Sequence, residues 1–235
     1  MEFKGFEKLS LIEYPGKIVA VVFTGGCNFR CPFCQNPDLV LNSKNLSSIS
    51  EEEVVNYLVS KRKYLDGLAI TGGEPTIYKD LPNFLAKVKR ENFLIELETN
   101  GSEPLMMKEL IDNHLIDYVA LDIKSPLIWE KYKEAAGIDS KELFERVKES
   151  LKLLLKFRVE YELRTTLVPG LLTEEDIIKI AEQIKGAKRY VLQQFIPERT
   201  LQKDYENIKP YSSEELKRIK ERVKNFLGVC EVRGM

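Results

Sequence analysis

The sequence predicts an α/β protein built on a partial (β/α)6 barrel of the TIM type, and three observations predict it. Short β-branched runs alternate with amphipathic helical stretches along the whole length. No Gly/Ser linker or low-complexity tract interrupts them. The chemically unusual residues fall where strands end, while returning connections such as Gly186-Ala187-Lys188 carry nothing comparable. Alternation argues for a parallel sheet, because each crossover helix returns the chain to the same sheet edge. A doubly wound open sheet meets the periodicity equally well. The placement of unusual residues favours the barrel, whose carboxyl rim gathers ligand groups. At 235 residues, six units fit one barrel better than two domains, so residues 1–235 are expected to form a single domain.

Taken in order, Lys17–Thr24 is the first strand, followed by a cysteine-bearing loop. A helix is expected over Glu51–Tyr64, opened by Ser50 with Glu53 three residues on, a capping-box pattern. Gly67–Thr71 is the next strand and Leu81–Arg90 its helix. Phe93–Thr99 and Leu105–Asn113 repeat the alternation, as do Tyr118–Ile123 and a helical region over Ile128–Lys156. Arg158–Leu167 is a strand, Glu174–Ile184 a helix opened by Thr173, and Arg189–Ile196 the sixth strand. The last helix, Ser213–Phe226, starts at Ser212 with Glu215 in capping-box register. No long lid extends beyond it, so an open site is expected. Each strand ends in something a plain turn does not need. These ends are Gly25-Gly26-Cys27, Thr71-Gly72-Gly73-Glu74-Pro75, Glu98-Thr99-Asn100-Gly101, Asp122-Ile123-Lys124, Arg164-Thr165-Thr166 and Gln193-Gln194.

Composition narrows the function classes. Thirty-six Lys and Arg stand against 37 Asp and Glu, a net charge of -1, which leaves no basic footprint for nucleic acid. The basic runs Lys61–Lys63 and Lys87–Arg90 read as solvated helix faces. No segment approaches the run of about 18 apolar residues a membrane span needs. Met1-Glu2-Phe3-Lys4 lacks a secretion pattern, so a cytoplasmic protein is expected. There are four cysteines, and Cys27, Cys31 and Cys34 lie within one short loop. Clustered cysteines in a reducing compartment point to a metal or to redox chemistry. A C-x3-C-x2-C loop can offer thiolates to three irons of one cubane, whereas tetrahedral zinc usually takes two separated pairs. His114, the only histidine, is expected in a helix with a structural role, and Cys230 in a buried strand-like segment, Gly228–Val232. Three ligands would leave one iron open. The loop is expected to be built on the surface.

The run Gly26-Cys27-Asn28-Phe29-Arg30-Cys31-Pro32-Phe33-Cys34 resembles the signature of the radical S-adenosylmethionine superfamily, and Thr71–Pro75 resembles its second motif. The resemblance spans the first strand to the sixth. It implies a [4Fe–4S] cluster on Cys27, Cys31 and Cys34 whose open iron chelates S-adenosylmethionine, and reductive cleavage to methionine and a 5′-deoxyadenosyl radical. By the same resemblance Gly72, Gly73 and Glu74 bind the methionine ammonium and Phe33 packs beside the adenine. Glycine suits positions where backbone must approach closely.

A narrower resemblance is to the glycyl-radical activating enzymes, through Cys31-Pro32-Phe33-Cys34-Gln35-Asn36-Pro37, Glu98–Gly101 and Leu121–Lys124. It implies a monovalent cation held by Glu98, Thr99 and Asp122 beside the methionine carboxylate, with Lys124 fixing the cofactor. Thr99, Asn100, Asp122, Arg164 and Gln193 complete the expected cofactor contacts. Two departures are visible. Glu98 stands where that group has aspartate, and Gln193 or Gln194 where it has a sixth-strand histidine. The stretch Gly5–Lys17 is similar to anaerobic ribonucleoside-triphosphate reductase activating proteins. That implies a glycyl-radical protein, anaerobic ribonucleotide reductase, as partner and a flavodoxin- or ferredoxin-type electron donor. The rival reading is a small-molecule radical enzyme such as 7-carboxy-7-deazaguanine synthase. An electron carrier, from another class, would have no use for Gly72–Glu74.

Overall fold

The computed structural model describes residues 1–157 and 159–234. Its single nine-stranded sheet is read here in chain order. The strands are β1 (Glu2–Ser10), β2 (Val19–Thr24), β3 (Ile49–Ser50), β4 (Gly67–Gly72), β5 (Leu94–Thr99), β6 (Tyr118–Asp122), β7 (Glu160–Leu167), β8 (Arg189–Gln194) and β9 (Val229–Arg233). Their spatial order is β3-β1-β2-β4-β5-β6-β7-β8-β9. From β2 through β9 every pairing is parallel, while β1 runs antiparallel to both β2 and β3. β3 and β9 are the two free edges, so the barrel stays open. The six expected strands are β2, β4, β5, β6, β7 and β8; the one expected to start at Arg158 starts at Glu160, and Arg158 itself lies outside the described residues.

The helices are α1 (Pro37–Leu41), α2 (Glu51–Ser60), α3 (Leu81–Arg90), α4 (Pro104–Asp112), α5 (Trp129–Ala136), α6 (Lys141–Lys156), α7 (Glu174–Gln183) and α8 (Ser213–Val223). Alternation decides which side each strand residue faces. Ala20, Val22, Leu68, Ile70, Ile95, Leu97, Val119 and Leu121 turn outward and are buried beneath the helices with Leu58, Phe84, Leu85 and Leu110. Each valine, leucine, isoleucine and phenylalanine among them contributes about 1.5–3 kcal/mol on burial. Val19, Val21, Ala69 and Tyr118 turn inward and are capped from below by Tyr14, whose ring lies 5.1 Å from that of Tyr118. Charged residues take over the interior above this layer.

Two expectations are corrected, and one strand lies outside those expected. The helical region over Ile128–Lys156 is two helices, because Gly137 takes a left-handed φ of 61° and ends α5. β1 was not foreseen: its alternation is weak, and it is a strand because it pairs with β2. The strand-like segment expected over Gly228–Val232 is β9, which extends the sheet beyond the sixth unit. His114 is not helical; it follows α4 with φ 52° and is exposed. The caps at Thr173 and Ser212 form full capping boxes, whereas Ser50 accepts only from the Glu53 amide.

Candidate functional site

The six expected strands, β2 and β4 through β8, deliver their terminal residues to one cavity of about 270 Å³. Cys27, Cys31, Phe33 and Cys34 line it from the loop after β2. Gly72, Gly73 and Glu74 come from β4, and Glu98, Thr99 and Asn100 from β5. Asp122 and Lys124 follow from β6, Arg164 from β7 and Gln193 from β8. Every expected site residue is therefore brought together. Gln194 turns away, its amide donating to the Tyr211 carbonyl, which resolves the choice left between the two glutamines.

The cysteine loop is not built on the surface as expected. Cys31, Phe29 and Phe33 are buried against Tyr132, Ala136, Phe144 and Phe195, a second hydrophobic cluster supplied by α5, α6 and the residue after β8. Backbone bonds stitch the loop to distant chain: Gly26 N–H to Leu39, Arg30 N–H to Ala136, Leu201 N–H to Cys34 and Gln202 N–H to Pro32. The last two come from the segment after β8, which lies over the loop as a strap. A Cβ at Gly137 would collide with the Arg30 carbonyl, which explains why α5 must end in glycine there.

All three thiols are free. Burial pushes Cys27 up to about 11, with Glu74 adding to it, and Cys31 up to about 12. A metal deprotonates the thiol that coordinates it, so this burial does not stand against iron ligation. Among the described residues no three His, Cys, Asp or Glu side chains converge as a site for one ion. A cubane asks for something else, one thiolate per iron from positions spread around it. The three thiols on one cavity wall fit that demand. His114 and Cys230 line no part of the cavity, and Cys230 packs in the helix-side core.

Gly72–Glu74 serve first as a brace. Gly73 N–H donates to Thr24 and Glu74 N–H to Gly26, at 2.9 Å each. A Cβ at Gly73 would overlap the Gly26 carbonyl, so the close approach that glycine permits is to the cysteine loop itself. Glu74 is buried, and its carboxylate accepts from Thr76 N–H and Oγ1, Thr99 Oγ1 and Asn100 N–H. Burial raises its pKa against those bonds. The carboxyl expected to meet an ammonium is already engaged by four donors. Asn100 Nδ2 donates to Asn28 and approaches Cys27 Sγ at 3.8 Å, tying the β5 end to the first cysteine.

The residues expected to hold a cation are engaged by neighbouring side chains. Arg164 Nη1 donates to Glu98 at 2.7 Å and Nε to Asp122 at 3.0 Å, while Lys124 donates to Asp122 at 2.8 Å. Thr99 is committed to Glu74. The Arg164 guanidinium thus lies between Glu98 and Asp122, two of the three residues expected at a cation. Burial alone would raise Asp122, but Lys124 and Arg164 overcome it and hold the carboxyl at about 2. Glu98 is likewise lowered, Arg164 outweighing burial, and Thr71 donates to its other oxygen. Among the lining residues that were missed, Glu13 is the charged one. Glu13 reaches the cavity from beneath the barrel, and burial together with Glu98 lifts it to about 7. Its only sequence signal is an acidic residue set among Leu11, Ile12 and Tyr14.

Comparison with known proteins gives this geometry its class. Residues 21–184 match the model of the radical SAM superfamily, so the chain belongs to that superfamily, whose cofactors are a [4Fe–4S] cluster and S-adenosylmethionine. A Methanocaldococcus jannaschii protein, provisionally named a glycyl-radical enzyme activating enzyme, is 35% identical over 232 residues, 97% of this chain and 94% of that one. The pyruvate formate-lyase-activating enzyme of Clostridium pasteurianum is 29% identical over 201 residues, 83% of this chain and 81% of that one. Within the superfamily the chain stands with the glycyl-radical activating enzymes. Among solved structures, Streptococcus suis SuiB bound to its precursor peptide SuiA shares the fold with a TM-score of 0.69 at 18% identity. That match covers 90% of this chain, which spans about half of SuiB (47%). No helix among the described residues is long and apolar enough to cross a membrane.

Proposed function

We propose that this enzyme installs a glycyl radical on anaerobic ribonucleotide reductase, with Cys27, Cys31 and Cys34 holding its cluster. The observation that carries the site assignment is the convergence of three free thiols with the β4, β5 and β6 ends on one cavity. The resemblance of Gly5–Lys17 to activators of that reductase supports the choice of target. When bound, the cluster supplies the electron that cleaves S-adenosylmethionine.

This chain's residues then have distinct tasks. Gly73 and Glu74 fix the cysteine loop against β5 through Thr24, Gly26, Thr99 and Asn100. Lys124, buried and kept protonated by Asp122, offers a fixed positive charge to the cofactor carboxylate. Phe33 contributes an apolar wall beside the adenine and Gln193 a neutral hydrogen-bonding group opposite. The buried loop and the strap after β8 keep water from the reacting atoms. The electron comes from a flavodoxin- or ferredoxin-type donor.

The test is anaerobic. The protein is reconstituted with iron and sulfide, reduced, and given S-adenosylmethionine with or without the reductase's glycine-bearing domain. Stimulated 5′-deoxyadenosine formation with a glycyl signal in electron paramagnetic resonance is the expected result. Slow cleavage indifferent to that domain would defeat the target assignment.

A further inference from the structure

Asn100 follows β5 directly, and each polar atom of its side chain has an assigned direction. Its backbone N–H donates to Glu74 at 2.7 Å. Its Oδ1 accepts from the Ser102 N–H at 2.9 Å, the contact of an Asx turn. That contact fixes which end of the amide is oxygen and leaves Nδ2 two hydrogens to place. One goes to Asn28 Oδ1 at 2.9 Å, and Asn28 is itself oriented by donating Nδ2 to Ser102 Oγ at 2.7 Å. The other has Cys27 Sγ as its acceptor, at 3.8 Å. Phe29 N–H reaches the same sulfur at 3.3 Å. Among the described residues, both N–H groups within reach of a cysteine sulfur thus serve Cys27, while Cys31 Sγ faces the Ala136 carbonyl at 3.6 Å. Asn100 is only 6% exposed, so water competes little for these bonds.

A neutral thiol accepts a hydrogen bond weakly, whereas a thiolate that ligates iron is a strong acceptor. An electron added to an iron–sulfur cluster adds negative charge that the ligating sulfurs share, and N–H dipoles aimed at those sulfurs favour the reduced form. We propose that Asn100 is a positioning residue for the cluster: its side-chain amide donates to the Cys27 thiolate and makes the cluster easier to reduce. The proposal rests on the radical reading above. It assigns Asn100 to the first cysteine instead of to S-adenosylmethionine, since neither amide hydrogen is left for the cofactor. An Asn100 that merely held the turn after β5 would have no effect on the reduction potential.

The experiment is a potentiometric titration of the reconstituted holoenzyme without S-adenosylmethionine, followed by electron paramagnetic resonance of the reduced cluster. Asn100→Ala should disfavour reduction about tenfold, a fall of about 59 mV in potential for one electron. Asn100→Asp keeps the acceptor for the Ser102 N–H and loses the donor, so it should shift the equilibrium at least as far. Ser102→Ala breaks the Asn28 contact yet leaves the Asn100 amide facing Cys27, and should stay within threefold of the wild type. In a second measurement the wild type carries nitrogen-15 only in its asparagine side chains. Pulsed electron paramagnetic resonance should then detect a side-chain nitrogen coupled to the reduced cluster, a result that needs no variant to take up iron. A shift below threefold in Asn100→Ala, an equal shift in Ser102→Ala, or no nitrogen coupling in the wild type would overturn the proposal. A wild type that takes up no cubane defeats the radical reading and the proposal with it, whereas a normal cubane without these signs defeats the role of Asn100 alone.

Discussion

At the scale of single residues, the site is an arrangement of charges and close approaches that partners decide. Asp122 shows how much. Its carboxyl, held at about 2 by Lys124 and Arg164, binds its proton less readily when folded than when unfolded, where about 4 is usual. A depressed carboxylate contributes stability that is present above the unfolded value and lost as pH falls through the folded one. Asp122→Asn should therefore cost about 2 kcal/mol at pH 7, a difference that shrinks between about pH 4 and 2 and vanishes below; urea midpoints across that range measure it. A gap that persists at pH 2 would mean packing, not charge, carries the effect. Gly73→Ala should cost about 3 kcal/mol, because a backbone must move to clear the Gly26 carbonyl. Its iron content after reconstitution should fall with stability, and a normally loaded Gly73→Ala protein would refute the brace. The site was legible wherever a strand end carried unusual chemistry, which is why the three cysteines, Gly72–Glu74, Asp122, Lys124, Arg164 and Gln193 could be read to one cavity. The Arg164 bridge was not, because a sequence lists charges without pairing them. Glu13 was not, because its role depends on the chain folding back under the barrel.

At the scale of elements, strands buried on both faces read clearly, and their ends fell within a residue or two of expectation. What failed to read was governed by tertiary contact. β1 is half exposed and owes its existence to pairing with β2. The break between α5 and α6 is invisible in periodicity, since Ile128–Lys156 keeps a helical pattern on either side of Gly137. The break has a purpose: it lets the Ala136 carbonyl accept from Arg30 N–H and lie 3.6 Å from Cys31 Sγ. Gly137→Ala would place a β-carbon against Arg30 while forcing a left-handed conformation on alanine. The expected outcome is a folded barrel with a displaced cysteine loop. Far-ultraviolet dichroism should stay near wild type while iron incorporation falls at least several-fold. Full iron incorporation would show that α5 is merely adjacent to the loop.

At the scale of the molecule, the cysteine loop belongs to no single part of the chain. Residues 26–34 are bonded to Leu39, to Ala136 at the end of α5, and to Leu201 and Gln202 beyond β8, while Glu74 donates back to Gly26. A ligand that binds only the folded loop stabilises everything that holds the loop, by an amount set by its concentration relative to its dissociation constant. Removing the cluster should then loosen contacts far apart in sequence but together in space. In hydrogen exchange, chelation of iron from the anaerobic holoenzyme should speed exchange of the Arg30, Leu201 and Gln202 amides by tenfold or more. The amides of β5 and β6 at the floor, such as Leu97 and Val119, should change little, because parallel pairing on both sides protects them independently of the loop. Were acceleration confined to residues 27–34, the strap and α5 would be passive neighbours. Were it uniform across the sheet, cluster and fold would form one cooperative unit, and the loop would be a nucleus of the structure instead of a fitting upon it.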